Sequence, residues 1–90
     1  MQKVFQVYCD PGHAWAKVPL KVLDSLGIRE RVSHYSYARK DCAYLEEDCD
    51  LSLFIKAFRD KMGIDPKFRE YSGNKYSKIR GYNHYFFEGV

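Results

Sequence analysis

The chain has 90 residues, of which 46% are hydrophobic and 17% aromatic, so its apolar side chains suffice for one buried core. This length excludes a two-domain enzyme and the composition excludes a disordered tail, so we expect a single domain over residues 1–90. The net charge of +3 conceals an acidic block, because residues 41–50 contain five acidic and no basic side chains.

The first strand is predicted over Lys3 to Cys9, where side chains alternate with a period of two. Asp10 to His13 has the composition of a tight turn, so Ala14 to Val18 is expected to return as the second strand of a hairpin. Pro19 is compatible with the first turn of a helix, and Gly27 can adopt the left-handed conformation that ends one. We therefore predict a short helix between them.

The middle of the chain repeats this order of elements. Val32 to Tyr37 and Cys42 to Glu47 are predicted to form a second hairpin. Apolar residues from Leu51 to Met62 recur at helical spacing, and Gly63 follows the last of them. We therefore predict a second helix that ends at Gly63.

The last two predicted strands are Lys67 to Tyr71 and Tyr82 to Phe87. The resulting order, ββα-ββα-ββ, indicates an α+β fold: an antiparallel sheet of five or six short strands with two helices on one face. Two short helices cannot cover every ring in this chain, so we expect a partly accessible aromatic surface on the other face, with Trp15, Tyr35, Tyr37, Tyr44, Tyr82 and Tyr85.

Positive charge and aromatic rings alternate in the basic segment, residues 75–82, through Lys75, Tyr76, Lys78, Arg80 and Tyr82. The cations would attract phosphates and the rings could stack on bases. This pattern predicts a binding surface for a partner or a nucleic acid. The alternative is a solvated loop whose tyrosines are buried locally.

A thiol, a carboxylate and an imidazole lie close together in the first hairpin, at Cys9, Asp10 and His13. A catalytic cysteine needs a histidine that lowers the pKa of its thiol. Cys9, however, falls on the apolar side of its strand, where a buried and unreactive thiol is usual. We expect these residues to form turn and core, and we predict no catalytic residues.

The acidic block contains Glu46, Glu47, Asp48 and Asp50, directly before the second helix. Because free N–H groups at a helix N-terminus favour carboxylates, we expect Asp48 or Asp50 to cap this helix. The alternatives are an acidic contact surface and a site for a hard cation such as Mg²⁺.

The three cysteines do not form a disulfide framework, which favours a reducing cytoplasm. Cys42 and Cys49 could form a zinc site only with His34 or His84, and closely spaced ligand pairs are absent. We therefore expect no metal and no cofactor. No long apolar run predicts a secretory signal or a membrane span, so no membrane interaction is expected.

Four segments of the sequence resemble a family of short bacteriophage and prophage proteins with no established activity. They are residues 8–19 (YCDPGHAWAKVP), 35–37 (YSY), 44–51 (YLEEDCDL) and 77–82 (SKIRGY). The resemblance implies expression in a bacterial host cytoplasm and transfers no catalytic residue.

We therefore expect a non-enzymatic accessory protein that binds a host or phage macromolecule, in the role of a host-defence antagonist. Its surface would combine the basic segment with Trp15, Tyr35 and Tyr37. The first alternative is direct nucleic-acid binding through residues 75–82. A small metal-dependent or Cys/His-dependent enzyme comes last, and a homodimer is compatible with all three.

Overall fold

The computed structural model describes residues 1–87, which form one six-stranded sheet and two α-helices. The strands are β1 (Val4–Cys9), β2 (Ala14–Pro19), β3 (Tyr37–Arg39), β4 (Cys42–Glu46), β5 (Lys67–Ser72) and β6 (Asn83–His84). The helices are α1 (Leu20–Leu26) and α2 (Leu51–Met62), and two short 3₁₀ helices cover Arg29–Arg31 and Lys78–Gly81.

The strands lie in the order β5-β1-β2-β4-β3-β6, and the predicted α+β fold is confirmed. Four of the five strand pairs are antiparallel, whereas β5 runs parallel to β1. A parallel pair needs a crossover connection rather than a tight turn. Here α2 belongs to that connection, so the sheet is mixed rather than purely antiparallel.

Glycines end both helices as predicted. Gly27 has a φ of 70°, and the backbone N–H groups of Gly27 and Ile28 donate to the carbonyls of Asp24 and Leu23. This is the Schellman arrangement, which satisfies carbonyls that the helix leaves open. Gly63 ends α2 with a φ of 73° and donates to the carbonyl of Arg59.

The main core lies between the two helices and one face of the sheet. Phe5 of β1 is fully buried against Phe54 and Phe58 of α2, with edge-on rings whose centroids are 5.0 and 5.9 Å apart. Leu23 of α1 and Leu45 of β4 are also fully buried in this cluster. Both helices therefore cover the same face, which we call the inner face; the opposite face is the outer face.

The strand predicted over Val32 to Tyr37 is wrong, because β3 begins only at Tyr37. The preceding residues instead bind the buried carboxylate of Asp50. The backbone N–H and hydroxyl of Ser33 donate to it at 3.0 and 2.7 Å, and the hydroxyl of Ser36 donates as well. These polar contacts replace the ladder that a strand would form.

The strand predicted over Tyr82 to Phe87 is also wrong beyond β6, which contains only Asn83–His84. Tyr85 leaves the ladder because its ring packs in the main core, where it is 3% exposed. Its backbone N–H donates to the carbonyl of Ser36 at 2.8 Å, and its hydroxyl donates to the carbonyl of Arg29.

Within residues 1–87, no helix combines the length and the hydrophobicity that a membrane crossing requires. Cys9, Cys42 and Cys49 are free thiols. Cys9 and Cys42 are half-buried, whereas Cys49 is exposed.

Candidate functional site on the outer face

The pleat of the strands determines which side chains reach the outer face. Directly paired residues point the same way, so the register places Tyr8 beside Trp15, Trp15 beside Glu46 and Lys17 beside Tyr44. On the flanking strands, Arg69 is paired with Gln6, and Arg39 with Cys42. The outer face therefore collects aromatic rings and cations from five strands.

The basic segment lies on this face and covers part of it. Ile79 is 3% exposed and packs against Trp15 and Tyr44, which are 2% and 8% exposed. Tyr82 packs on Tyr44 with ring centroids 5.1 Å apart. The basic segment is thus a cover as well as a charged surface, and the two most central rings beneath it are buried.

Arg80 fastens this cover to the first hairpin turn. Its guanidinium binds the Asp10 carboxylate through two nitrogens, Nε at 2.7 Å and a terminal nitrogen at 3.0 Å. The same carboxylate accepts the backbone N–H groups of Ser77, Gly12 and His13. Bonding to Arg80 and to these N–H groups holds the pKa of Asp10 well below its ordinary value, against the opposing effect of burial. Arg80 is therefore a structural cation.

The other predicted binding residues are differently placed. Lys75, Tyr76 and Lys78 are exposed, Tyr76 to 77%. Tyr35 is exposed to 61% and stacks on the ring of His34, while Tyr37 is half-buried and stacks on His84. The structure therefore brings Trp15, Arg80 and Tyr82 into one packed layer and leaves Lys75, Tyr76 and Tyr35 at its margins.

Beside the cover, two recesses lie next to each other on the outer face and share Lys17; together we call them the groove. The wider part encloses about 540 Å³ and is lined by Gln2, Val4, Gln6, Lys17, Pro19, Cys42 and Arg69. The narrower part encloses about 250 Å³ and is lined by Tyr8, Lys17, Arg39, Tyr44, Ser77, Lys78, Ile79 and Tyr82. Among the described residues, four cations and no carboxylate line the groove.

The tyrosines of the narrow part are held in place by their neighbours. Arg39 lies over the ring of Tyr82 at 5.1 Å and donates to its hydroxyl at 3.3 Å. Burial, together with the nearby Tyr82 hydroxyl, raises the pKa of Tyr44 to about 12. The Tyr44 hydroxyl therefore stays protonated at neutral pH and can donate a hydrogen bond to a bound anion.

A second recess, the acidic cleft, lies on the other side of the cover. It encloses about 280 Å³ between His13, Trp15, Tyr35, Tyr37, Glu46, Asp48, Cys49, Arg80 and His84. His13 Nδ1 lies 3.1 Å from Glu46 Oε1, and the Asp48 backbone N–H donates to the other oxygen of Glu46 at 2.8 Å. Four separate segments of the chain contribute side chains to this cleft.

The cysteine, carboxylate and imidazole of the first hairpin do not form one reactive set. Cys9 donates to Glu70 at 3.4 Å, Asp10 binds Arg80, and His13 faces Glu46. Burial raises the pKa of the Cys9 thiol, and hydrogen bonding to Glu70 raises it further. Such a thiol is less nucleophilic, not more, at neutral pH.

The acidic block differs from the expected helix cap. Asp50 occupies the N-cap position of α2, but its side chain makes no capping bond because it accepts from Ser33 and Ser36 instead. Asp48 is exposed, and Glu46 is buried in the cleft. The prediction that Asp48 or Asp50 is the N-cap residue is therefore confirmed for Asp50, but the expected capping bond from its carboxylate is not formed.

The zinc set considered from the sequence is not assembled. Cys42 lines the wide part of the groove, whereas Cys49 and His84 line the acidic cleft. Within the described part of the chain, the group of potential metal ligands is instead His13, Glu46, Glu47 and Asp48, whose donor atoms lie within 4.8 Å of one another.

Sequence reasoning missed the groove cations Lys17, Arg39 and Arg69. Each occupies an outward position of a strand, so the period of two could have placed them on one face. What the sequence lacked was the strand order, which puts β5, β1, β2, β4 and β3 side by side.

Comparison with protein-family models, curated proteins and solved structures finds no match to this chain. The resemblance to bacteriophage proteins stays a prediction.

Proposed function

We propose that the protein acts by binding, without catalysis, and that its ligand is a single strand of nucleic acid along the outer-face groove. The observation that carries this proposal is the lining of the groove by Lys17, Arg39, Arg69 and Lys78 with no carboxylate among the described residues. Such a field of one sign attracts a polyanion and repels other cations.

The groove crosses the strands from Arg69 on β5 to Arg39 on β3, four strand spacings apart. At about 4.8 Å per spacing this distance is roughly 19 Å, which is long enough for several phosphates of one strand. The cations would contact phosphates, the Tyr44 hydroxyl would donate to a phosphate oxygen, and exposed rings such as Tyr76 would stack on bases.

The cations are available for such contacts. No carboxylate of residues 1–87 lies within ion-pair distance of Lys17, Arg39, Arg69 or Lys78. By contrast, Arg80 is already bound to Asp10. Its charge adds to the positive field, but its guanidinium holds the cover in place and is not expected to contact the ligand. In the basic segment, Lys78 is therefore the cation that we expect to contact the nucleic acid. On the strands, Lys17, Arg39 and Arg69 have the same expected role.

A host or phage protein as partner, and with it host-defence antagonism in a bacterial cytoplasm, is the second proposal. It is supported by the resemblance and by the exposed rings of Tyr35 and Phe86. The groove favours it less, because protein interfaces usually have an apolar centre depleted in charge. Homodimerisation through the exposed edge strand β5 stays a prediction, and like the protein partner it comes second to nucleic-acid binding.

Fluorescence anisotropy with a labelled oligothymidylate tests the nucleic-acid proposal. We expect affinity to fall steeply between about 50 mM and about 200 mM salt. The double variant Arg39→Gln/Lys78→Gln removes two expected phosphate contacts, so the slope of log K against log salt should become shallower by about 1.4.

The matched control is Lys21→Gln/Lys56→Gln, which removes two exposed cations from the helices and the same net charge. It should bind like the parent protein. Absence of binding at low salt overturns the proposal, as does an equal loss of affinity in the control, which would indicate attraction by net charge alone.

A further inference from the structure

We propose a binding site for a divalent first-row transition metal of the Zn²⁺ class at the edge of the acidic cleft, with the cleft residues His13, Glu46 and Asp48 and the adjacent Glu47 as ligands. One donor atom from each of these side chains lies within 4.8 Å of all the others. Ligand atoms that surround one such ion at about 2.0–2.2 Å are roughly 3 to 4.5 Å apart, so only small side-chain movements are required. This inference does not depend on the proposed binding of nucleic acid.

The four ligands come from two backbone segments that are joined to each other. The Glu47 backbone N–H donates to the carbonyl of Ala14 at 3.1 Å, next to His13. The turn that carries His13 is itself fixed, because Asp10 accepts its backbone N–H at 2.9 Å and is clamped by Arg80. The Asp48 N–H likewise orients the Glu46 carboxylate. The His13 and Glu46 side chains are therefore positioned before any ion binds, and the backbone that carries Glu47 and Asp48 is fixed beside them.

The charge of the cluster favours a cation. Three carboxylates meet one imidazole, so the cluster has an excess of negative charge; Glu46 is only 7% exposed, whereas Glu47 and Asp48 are exposed to water. The cation on the cleft wall, Arg80, is already engaged by Asp10. The imidazole selects for metals such as Zn²⁺ over Mg²⁺, which prefers oxygen ligands and water.

The indole of Trp15 gives an independent indication of a ligand in the cleft. Trp15 lines the cleft and is 2% exposed, and its Nε1–H has no hydrogen-bond partner among the described residues. A buried donor without an acceptor is costly. A water or an oxyanion bound in the cleft would supply the missing acceptor if it reached this nitrogen.

The test uses the full chain under reducing conditions, with Co²⁺ as a spectroscopic stand-in and Zn²⁺ as competitor. Trp15 is the only tryptophan, and it lines the cleft, so Co²⁺ bound there should quench its fluorescence. Zn²⁺ should reverse the quenching, and titration calorimetry should give one Zn²⁺ per chain. The variant Glu47→Gln/Asp48→Asn should weaken binding at least tenfold, as His13→Gln should.

The matched control, Asp60→Asn/Asp65→Asn, removes two exposed carboxylates elsewhere and should bind Zn²⁺ like the parent. Cys49→Ser should also retain binding, and the Co²⁺ spectrum should lack thiolate-to-metal charge transfer. The proposal is overturned if neither ion binds, if the cleft variants and the control lose affinity equally, or if a thiolate band shows that cysteines hold the ion. Circular dichroism of each variant separates loss of ligands from loss of fold.

Discussion

The two faces of the sheet are buried by different means. The inner face is covered by two helices through apolar contacts, and Phe5, Phe54 and Phe58 at its centre are fully buried. The outer face is covered by a short irregular segment, which Ile79, the ring of Tyr82 and the ion pair of Arg80 with Asp10 hold in place. On the inner face, apolar contacts hold the cover in place. On the outer face, polar contacts also hold the cover, and recesses with charged side chains stay accessible beside it.

The largest expected effect lies on the inner face. Phe54→Ala removes a fully buried ring that contacts both Phe5 and Phe58, so the free energy of unfolding should fall by about 4 kcal/mol. Urea denaturation followed by circular dichroism measures this loss. A loss below about 1 kcal/mol would contradict the view that this face holds the stability of the domain.

A smaller loss is expected beneath the cover. Ile79→Ala should reduce the free energy of unfolding by about 2 kcal/mol, because the irregular cover can partly collapse into the space. Trp15 packs against Ile79, so its fluorescence should also shift to the red as water reaches the ring. The exposed neighbour serves as control: Lys78→Ala should change stability by no more than about 0.5 kcal/mol. Unchanged Trp15 fluorescence in the Ile79 variant would show that the cover does not protect the ring.

The smallest effect is a difference in acid sensitivity. The Arg80 guanidinium keeps the pKa of Asp10 below its ordinary value, so the pair's contribution to stability is present above about pH 4 and is lost as the pH falls toward the lowered value. Asp10→Asn removes this contribution, so the decrease in Tm between about pH 6 and about pH 3 should be smaller than in the parent.

The exposed carboxylate of Asp60 provides the comparison for that measurement, because it forms an i,i+4 pair with Lys56 on the surface of α2. Asp60→Asn should leave the acid sensitivity nearly unchanged. Equal pH profiles for the Asp10 variant and the parent protein would mean that the ion pair does not stabilise the folded state.

Local patterns predicted most of the inner face. The alternation in β1 and the helical spacing in α2 are properties of adjacent residues, and Gly27 and Gly63 mark helix ends by their own conformational freedom. The predicted strand at Val32 failed for a non-local reason. Its serines bind Asp50, which lies 17 residues after Ser33 and 14 after Ser36. Hydrophobic periodicity compares residues that are close in sequence, so it cannot detect a pairing of these serines with Asp50.

The outer face was harder to predict for the same reason. The sequence indicated that Asp10 belongs to a turn, but not that Arg80, 70 residues later, binds it. Sequence patterns assign His13 to a turn and Glu46 to an acidic block at the start of a helix. In the structure, β2 and β4 bring His13 Nδ1 within 3.1 Å of Glu46 Oε1. Both sites on this face depend on the strand order, which short segments do not encode.

The parallel pairing of β1 with β5 has a consequence for synthesis on the ribosome. The β1–β2 hairpin emerges early, yet its free edge and its outer aromatic rings gain their partners only from residues 67–82. Until residues 67–82 have left the exit tunnel, this hairpin carries an open strand edge that can associate with other chains. Cooperative folding once these residues have emerged, rather than stepwise folding from the N-terminus, is the behaviour that this topology favours.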